Sequence, residues 1–444
     1  MRLKKFSASK VYGFLNFRLA FNDDLTFLIG VNGSGKTTAL RLIHALLAPA
    51  FEELLSVPFE VLELTFEDQG VERTLRARKN DSELAIGVDH INRVLAIPAA
   101  DMNVRRNSEQ MEALRESMRV QCTGNLVYEF LLKLASPLFL GLDRRLLLGP
   151  EEERSSELDR IRMYGASRSP YDGKLVKGSL ARSLLEVQTL LQEAYRRFRQ
   201  VQDGYTSRLR KSVLLSAFKY TEFSPEDIQA VPTKKVQERL KLLARKAEIQ
   251  QALQNIEVRG DEITRQLDEF FSKLENLFRQ TDPDSEGFNI EWLTNKAQFE
   301  RVVELVSLID SNRASVEAVF APVRHFIEAI NAFYSDSRKE IEVDGVGALS
   351  VIKPDRTKAS LEALSSGERQ LIVIFGHLFF NKFGPKSNVF IIDEPELSLH
   401  LRWQELFVPK ALASNPSAQL ILATHSPEIV GEFKHKCVQI EITN

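Results

Sequence analysis

One octapeptide constrains this chain more than any other stretch: Gly30-Val31-Asn32-Gly33-Ser34-Gly35-Lys36-Thr37. It reads as glycine, four residues, then Gly-Lys-Thr. It stands between the apolar run Leu25–Ile29 and a segment whose periodicity predicts a helix from Lys36 to about Leu47, with Pro49 helping to stop it. A strand that turns through glycines into a helix aims several backbone N–H groups inward, and the helix N-terminus adds a positive field, so the segment suits a phosphate group. Lys36 would neutralise phosphate charge and Thr37 would ligate Mg²⁺. Asn32, Gly33, Ser34, Gly35 and Thr38 would complete the cradle. A ligand-free glycine turn is the bland alternative, and the flanking strand and helix count against it.

The rest of the chain must supply the sheet. At 444 residues it is long enough for two or three domains, and 43% hydrophobic with 27% charged residues is an ordinary globular composition. A formal net charge of -2 selects neither nucleic acid nor membrane as partner. Two cysteines, Cys122 and Cys437, form no metal spacing and no disulfide framework, and the N-terminus lacks a signal-peptide run, so a cytoplasmic location is expected. The longest apolar run, Leu371 to Phe380, is too short to span a bilayer, so no membrane partner is expected.

Strands are expected at Phe14–Phe21, Leu25–Ile29, Val61–Phe66 and around Leu138–Leu142. After a middle region they are expected at Lys339–Val343, Leu349–Ile352, Val389–Ile392 and Gln419–Ala423, with a helix from about Gly367 to Phe380. Between Ser179 and Tyr334 helical periodicity dominates, for example Leu180, Leu184, Val187 and Leu191. Gly204, Pro225, Pro232, Gly260, Pro283 and Gly287 punctuate it, which predicts several antiparallel helices and no long rod. The economical fold is α/β: one head, a mixed sheet flanked by helices, built from residues 1–145 and 336–444 and split by a helical insertion over 146–335.

Three further motifs follow the octapeptide in order. Leu364-Ser365-Ser366-Gly367-Glu368 puts small residues and hydroxyls at the start of a helix, where Ser365, Ser366 and Gly367 could meet a phosphate. An ordinary Ser-to-Glu helix cap explains the same residues in isolation. Val389–Ile392 runs into Asp393 and Glu394, delivering two carboxylates to a sheet edge: Asp393 to hold Mg²⁺, Glu394 to polarise a water. His425 follows the apolar run ending at Ala423 and resembles the switch histidine of ABC ATPases, which contacts the γ-phosphate.

Together these residues resemble the ABC class of ATPases. There Leu364–Glu368 would be the signature motif, which in that class faces the nucleotide of the opposite subunit. The resemblance implies ATP and Mg²⁺ as ligands and a homodimer, or a higher homo-oligomer, formed through the heads. Lys36, Glu394 and His425 would be catalytic. Asp393-Glu394-Pro395-Glu396-Leu397-Ser398-Leu399-His400 narrows it to the OLD-like branch, related to SMC-type repair proteins. The chain ends 19 residues after His425, which leaves no room for the nuclease domain that OLD proteins append. The size and order of parts look most like PtuA, the stand-alone ATPase family of Septu-type antiphage modules. That likeness implies a separate HNH-type nuclease, PtuB-like, as partner. One departure is the Gln loop: Gln121 comes too early, and Asp143 or Arg144 could take its place, which leaves slow hydrolysis open.

Nucleic acid is a candidate partner. From Leu140 to Gln250 there are 22 Lys and Arg against 15 Asp and Glu. Arg196, Arg197, Arg199, Arg208, Arg210 and Lys211 form one cluster with Tyr195, Phe198 and Tyr205 interleaved; Lys234, Lys235, Arg239, Lys241, Arg245 and Lys246 form another. A solvated helix face is the plain alternative. Two other functions stay open: a DNA-repair or chromosome-maintenance ATPase of RecF or SMC type, and a scaffold that holds ATP unhydrolysed.

Overall fold

The computed structural model describes residues 1–98, 120, 122–141, 146–147, 179–216, 241–255, 261–280, 290–380 and 388–440. They fall into two compact units. The first takes Met1–Glu193 and Pro322–Asn444, the second Ala194–Ala321.

In the first unit the chain opens with strands β1 (Arg2–Val11) and β2 (Leu15–Ala20). Then come β3 (Leu25–Ile29), helix α1 (Lys36–Leu47) and helix α2 (Phe51–Ser56). Four antiparallel strands follow: β4 (Val61–Asp68), β5 (Val71–Lys79), β6 (Glu83–Val88) and β7 (Val94–Pro98). Strands β1, β2 and β4–β7 make one sheet in the order β2-β1-β4-β5-β6-β7. Its inward residues alternate along each strand, as Leu62, Leu64 and Phe66 do on β4, and they bury against α1 and α2.

A second sheet joins the two ends of the sequence. After helix α3 (Leu126–Lys133) come β8 (Leu138–Leu140) and β9 (Leu146–Leu147). The other members return much later. In the sequence between lie helices α4 (Ser179–Ser216), α5 (Lys246–Asn255), α6 (Asp261–Gln280) and α7 (Ile290–Tyr334). The small sheet β10 (Glu340–Val343), β11 (Leu349–Ile352) and β12 (Lys358–Ala359) follows, then helix α8 (Ser366–Phe380). Strand β13 (Val389–Asp393), helix α9 (Leu401–Ser414), strand β14 (Gln419–Ala423), helix α10 (Pro427–Val430) and strand β15 (Cys437–Gln439) close the described chain. The order of this sheet is β15-β3-β14-β13-β8-β9, parallel except for the last pair. The central strands β13 and β14 are buried along their whole length, as a parallel sheet covered on both faces requires.

Gln419 ties the two sheets together. It is fully buried; its Oε1 accepts from Leu3 N at 2.7 Å, and its Nε2 donates to Leu3 O at 2.7 Å and Asn22 O at 2.8 Å. A buried amide satisfied on both sides fixes the register between the first strand and β14.

The second unit is helical. Leu243, Ile249, Phe271, Leu274, Phe299, Val302 and Val306 form one core, and Tyr205, Leu209 and Ala252 another. The helices are longer than the punctuation predicts: α4 has 38 residues and α7 has 45. Gly204 lies inside α4, beside the buried Tyr205, because a helical glycine costs only about 1 kcal/mol and the burial of its neighbours outweighs that. Pro322 lies inside α7, at the boundary between the units, and lacks the N–H of one helical hydrogen bond. Pro225, Pro232, Gly260, Pro283 and Gly287 lie outside the described residues. The α/β head split by a helical segment, expected above, is therefore present. No helix among the described residues is long and apolar enough to cross a membrane.

Candidate functional site

The octapeptide forms the turn from β3 into α1. Gly33 and Gly35 have φ of 83° and 89°, in the left-handed region, and a Cβ on Gly35 would lie 2.8 Å from the Phe17 ring. Glycine is thus required at Gly35 both by backbone conformation and by space. The turn opens α1 with its N–H groups toward a cavity of about 420 Å³. Asn32, Gly33, Gly35, Lys36, Thr37 and Thr38 line that cavity, with Glu394 and His425.

Residues nearly 400 positions apart converge here. Lys36 is 5% exposed. Its Nζ donates to Gly30 O at 3.1 Å and lies 2.5 Å from His425 Nε2. For a charged Lys36, that contact needs the His425 ring to present a lone pair at Nε2, with its proton on Nδ1. Burial lowers Lys36 below the ordinary lysine range, against the pull of Glu394, Asp393 and Glu396.

Asp393 ends β13 and is 4% exposed. Burial raises its pKa, while the nearby Thr37 hydroxyl, Arg41 and Lys36 favour its charge. Both of its carboxylate oxygens are buried without a hydrogen bond in standard geometry. A buried oxygen donor beside a threonine hydroxyl is the donor chemistry a hard divalent cation takes, so Asp393 and Thr37 fit Mg²⁺.

Glu394 breaks the strand with φ of 52°, and its N–H donates to Ala423 O at 2.8 Å. Its Oε1 is 3.4 Å from His425 Nε2. Burial, the neighbouring Glu396 carboxyl and the Asp393 charge push the Glu394 pKa up to about 7. A carboxyl with a pKa near neutrality, on the rim of a cavity, is suited to take a proton from water.

Ser365, Ser366 and Gly367 stand elsewhere, at the start of α8, and none lines the cavity. There the helix-cap chemistry is realised. Glu368 N donates to Ser365 Oγ at 3.3 Å, and Ser365 N donates to Glu368 Oε2 at 2.6 Å. Burial opposes the Glu368 charge but is outweighed by Lys339, 2.9 Å away, and by the Ser365 N–H, so its pKa is lowered. A Cβ on Gly367 would fall 2.3 Å from Ser398 O. Ser34 is fully buried behind the cradle.

Comparison with known proteins adds the following. Residues 261–431 match the family profile described as "AAA domain, putative AbiEii toxin, Type IV TA system". That part of the chain thus resembles an AAA-type domain. A stretch of 191 residues is 28% identical to the "Retron Vc95 probable ATPase" of Vibrio cholerae serotype O1 biovar El Tor, covering 38% of this chain and 35% of that relative. The match thus spans about a third of the relative's length. Solved structures similar to the chain include the Smc head domain of Pyrococcus furiosus with an extended coiled coil, bound to the C-terminal domain of ScpA. It has 14% identity and a TM-score of 0.42 over 100% of this chain and 94% of that one. The SMC head domain from Thermotoga maritima has 14% identity and a TM-score of 0.35 over 97% and 91%.

Two aromatics of the cavity escape sequence reading. Tyr12 and Phe14 are 48% and 59% exposed and line the cavity from the turn between β1 and β2. Gly13 between them, with φ of 85°, is the only local signal. Gln121, Asp143 and Arg144 lie outside the described residues. Gln370, on α8, lines a small cavity of about 10 Å³ together with Asp393. In the second unit Arg196, Arg197, Arg199, Arg208, Arg210 and Lys211 are exposed. The interleaved aromatics are not exposed base-stacking platforms: Tyr205 is buried, and Tyr195 and Phe198 pack on Phe320. Their helical spacing puts them on the packed face of α4. Lys234, Lys235 and Arg239 lie outside the described residues.

Proposed function

We propose that this chain is a Mg²⁺-dependent ATP hydrolase whose heads, residues 1–145 and 336–444, pair with ATP sandwiched between the cradle of one and the Ser365–Gly367 segment of the other. The observation that carries the proposal is the convergence of Lys36, Asp393, Glu394 and His425, from opposite ends of the chain, on the turn between β3 and α1.

Backbone N–H groups from Asn32 to Thr38 would hold the phosphates, with Lys36 matching their charge. Thr37 and Asp393 would hold Mg²⁺, which when bound would offset charge on the phosphate oxygens. Tyr12 and Phe14 offer ring faces to the adenine. Glu394 would accept a proton from the attacking water as its oxygen bonds to the γ-phosphorus and the bond to the bridging oxygen breaks. His425 would contact the γ-phosphate. Ser365 and Ser366 are exposed and do not line their own chain's cavity, which supports a site completed by a second copy.

In the cell the two-headed ATPase would regulate a separate effector nuclease, of HNH type, in antiphage defence. The retron relative and the Glu-Pro-Glu segment support this reading. The exposed basic face of α4 favours a second reading, direct DNA binding by a repair-type ATPase.

The test is Glu394→Gln. It should keep ATP affinity and lose phosphate release by about 100-fold or more. Turnover equal to wild type would remove Glu394 from its role. DNA-stimulated hydrolysis by the chain alone would favour the second reading.

A further inference from the structure

The loop that follows Glu394 reaches across to the loop that carries His425. Glu396 Oε1 accepts two consecutive backbone N–H groups, from His425 at 2.7 Å and from Ser426 at 3.1 Å. One helix turn further on, Gln404 spans the same gap. Its Nε2 donates to Leu399 O at 2.9 Å, and its Oε1 accepts from Ser426 Oγ at 2.6 Å. Ser426 Oγ in turn accepts Ile429 N at 3.2 Å and starts α10. Thr424 N still donates to Leu28 O of β3 at 3.2 Å, and Ser426 N also donates to Thr424 Oγ1 at 3.0 Å. Between them, His425 is held by the Glu396 acceptor and by the contact of its ring with Lys36 and Glu394.

We propose that Glu396 is a positioning residue: by accepting both N–H groups it fixes the His425 ring at the cavity rim, with Gln404 anchoring the next residue. Neither residue lines the cavity; Glu396 also raises the Glu394 pKa, and the test at pH 8, above that pKa, isolates its action through His425. The proposal rests on the ATPase reading and deepens it. A carboxylate accepting two adjacent N–H groups is a directional clamp, because the oxygen must sit in the plane of both donors. The requirement is therefore for reach and an acceptor oxygen. Charge is secondary. Glutamine preserves both reach and acceptor; aspartate keeps the charge and is one methylene too short.

The test compares Glu396→Gln, Glu396→Asp and His425→Ala in the full chain at pH 8, with a fluorescent ATP analogue for affinity and single-turnover phosphate release for rate. Glu396→Gln should stay within about threefold of wild type. Glu396→Asp should lose about tenfold or more in rate, with affinity within about twofold. Added to His425→Ala, Glu396→Asp should cause less than about a twofold further loss, because the two act as one unit. A second readout needs no nucleotide: amide hydrogen exchange at residues 424–426 should speed up in Glu396→Asp and remain slow in Glu396→Gln. The proposal is overturned if aspartate works and glutamine does not, if the losses of Glu396→Asp and His425→Ala multiply, or if exchange at residues 424–426 is the same in all variants. Failure of the wild-type chain to bind ATP at all would instead overturn the ATPase reading, leaving the exchange result to judge the clamp alone.

Discussion

Glu394 sits under two opposed demands. As the proposed base it must be charged at working pH, yet burial and the Glu396 and Asp393 carboxyls favour the protonated form and bring its pKa to about 7. The sign follows directly: the competent form is the deprotonated one, so kcat should be flat above about pH 7 and fall roughly tenfold per pH unit below it. Glu396→Gln removes one of the groups that raise the pKa, so the acid limb should move to lower pH. A kcat profile from pH 5.5 to 9 on both proteins checks this, and a flat profile counts against Glu394 as base. Which residues meet at the cavity was largely legible in the sequence because the signals are contiguous: Gly-Ser-Gly-Lys-Thr and Asp-Glu each announce themselves within a few positions. Tyr12 and Phe14 were not, because nothing in a lone Tyr-Gly-Phe says that a hairpin will carry it to the mouth of a cavity built by residues 30–38. Glu396 was noticed only as a family marker. Its work is done on backbone N–H groups, which leave no trace in side-chain patterns.

Elements show where periodicity reading succeeds and where it stops. Strands β13 and β14 are unbroken apolar runs and were found to within a residue. Strands β1 and β5 were missed: on β1 register shifts at Leu3/Lys5 and Ala8/Val11 break the alternation of its buried Leu3, Phe6, Ala8 and Val11, and on β5 only Leu75 and Ala77 are buried, between Thr74, Arg76 and Arg78. Helix contacts carry their own prediction. Gly376 of α8 lies against Val187 of α4, fully buried, and a Cβ there would fall 2.3 Å from Val187 Cγ1. Gly376→Ala should cost roughly 1–3 kcal/mol by overpacking, seen as a lower melting temperature. Val187→Ala on that background should recover part of the loss, because the two side chains compete for one space. If the two changes simply add as losses, the contact is not the cause.

The whole molecule is where the proposed sandwich makes its sharpest demand. If Ser365–Gly367 serves the cavity of another copy, a chain with Lys36→Ala and a chain with Ser365→Arg should each be inactive. Mixed in equal amounts, they should recover about a quarter of wild-type hydrolysis, since half of the dimers are mixed and each of those rebuilds one of its two sites. No recovery after subunit exchange would mean that each copy completes its own site. At this scale the sequence was informative about order and silent about geometry. The sequence of motifs implied that distant ends meet, but only the strand order, with β3 held between β14 and β15, says how.

That strand order has a consequence for biosynthesis. The strand that leads into the glycine-rich turn is made some 400 residues before either of its sheet neighbours, and the glutamine that clasps Leu3 arrives with one of them. Pairing at such sequence separation is entropically slow. During translation the nascent N-terminal segment must therefore persist without its sheet neighbours. A product terminated before residue 419 would leave that strand without either sheet neighbour, so the cavity beside the glycine-rich turn is walled only after His425 has been made.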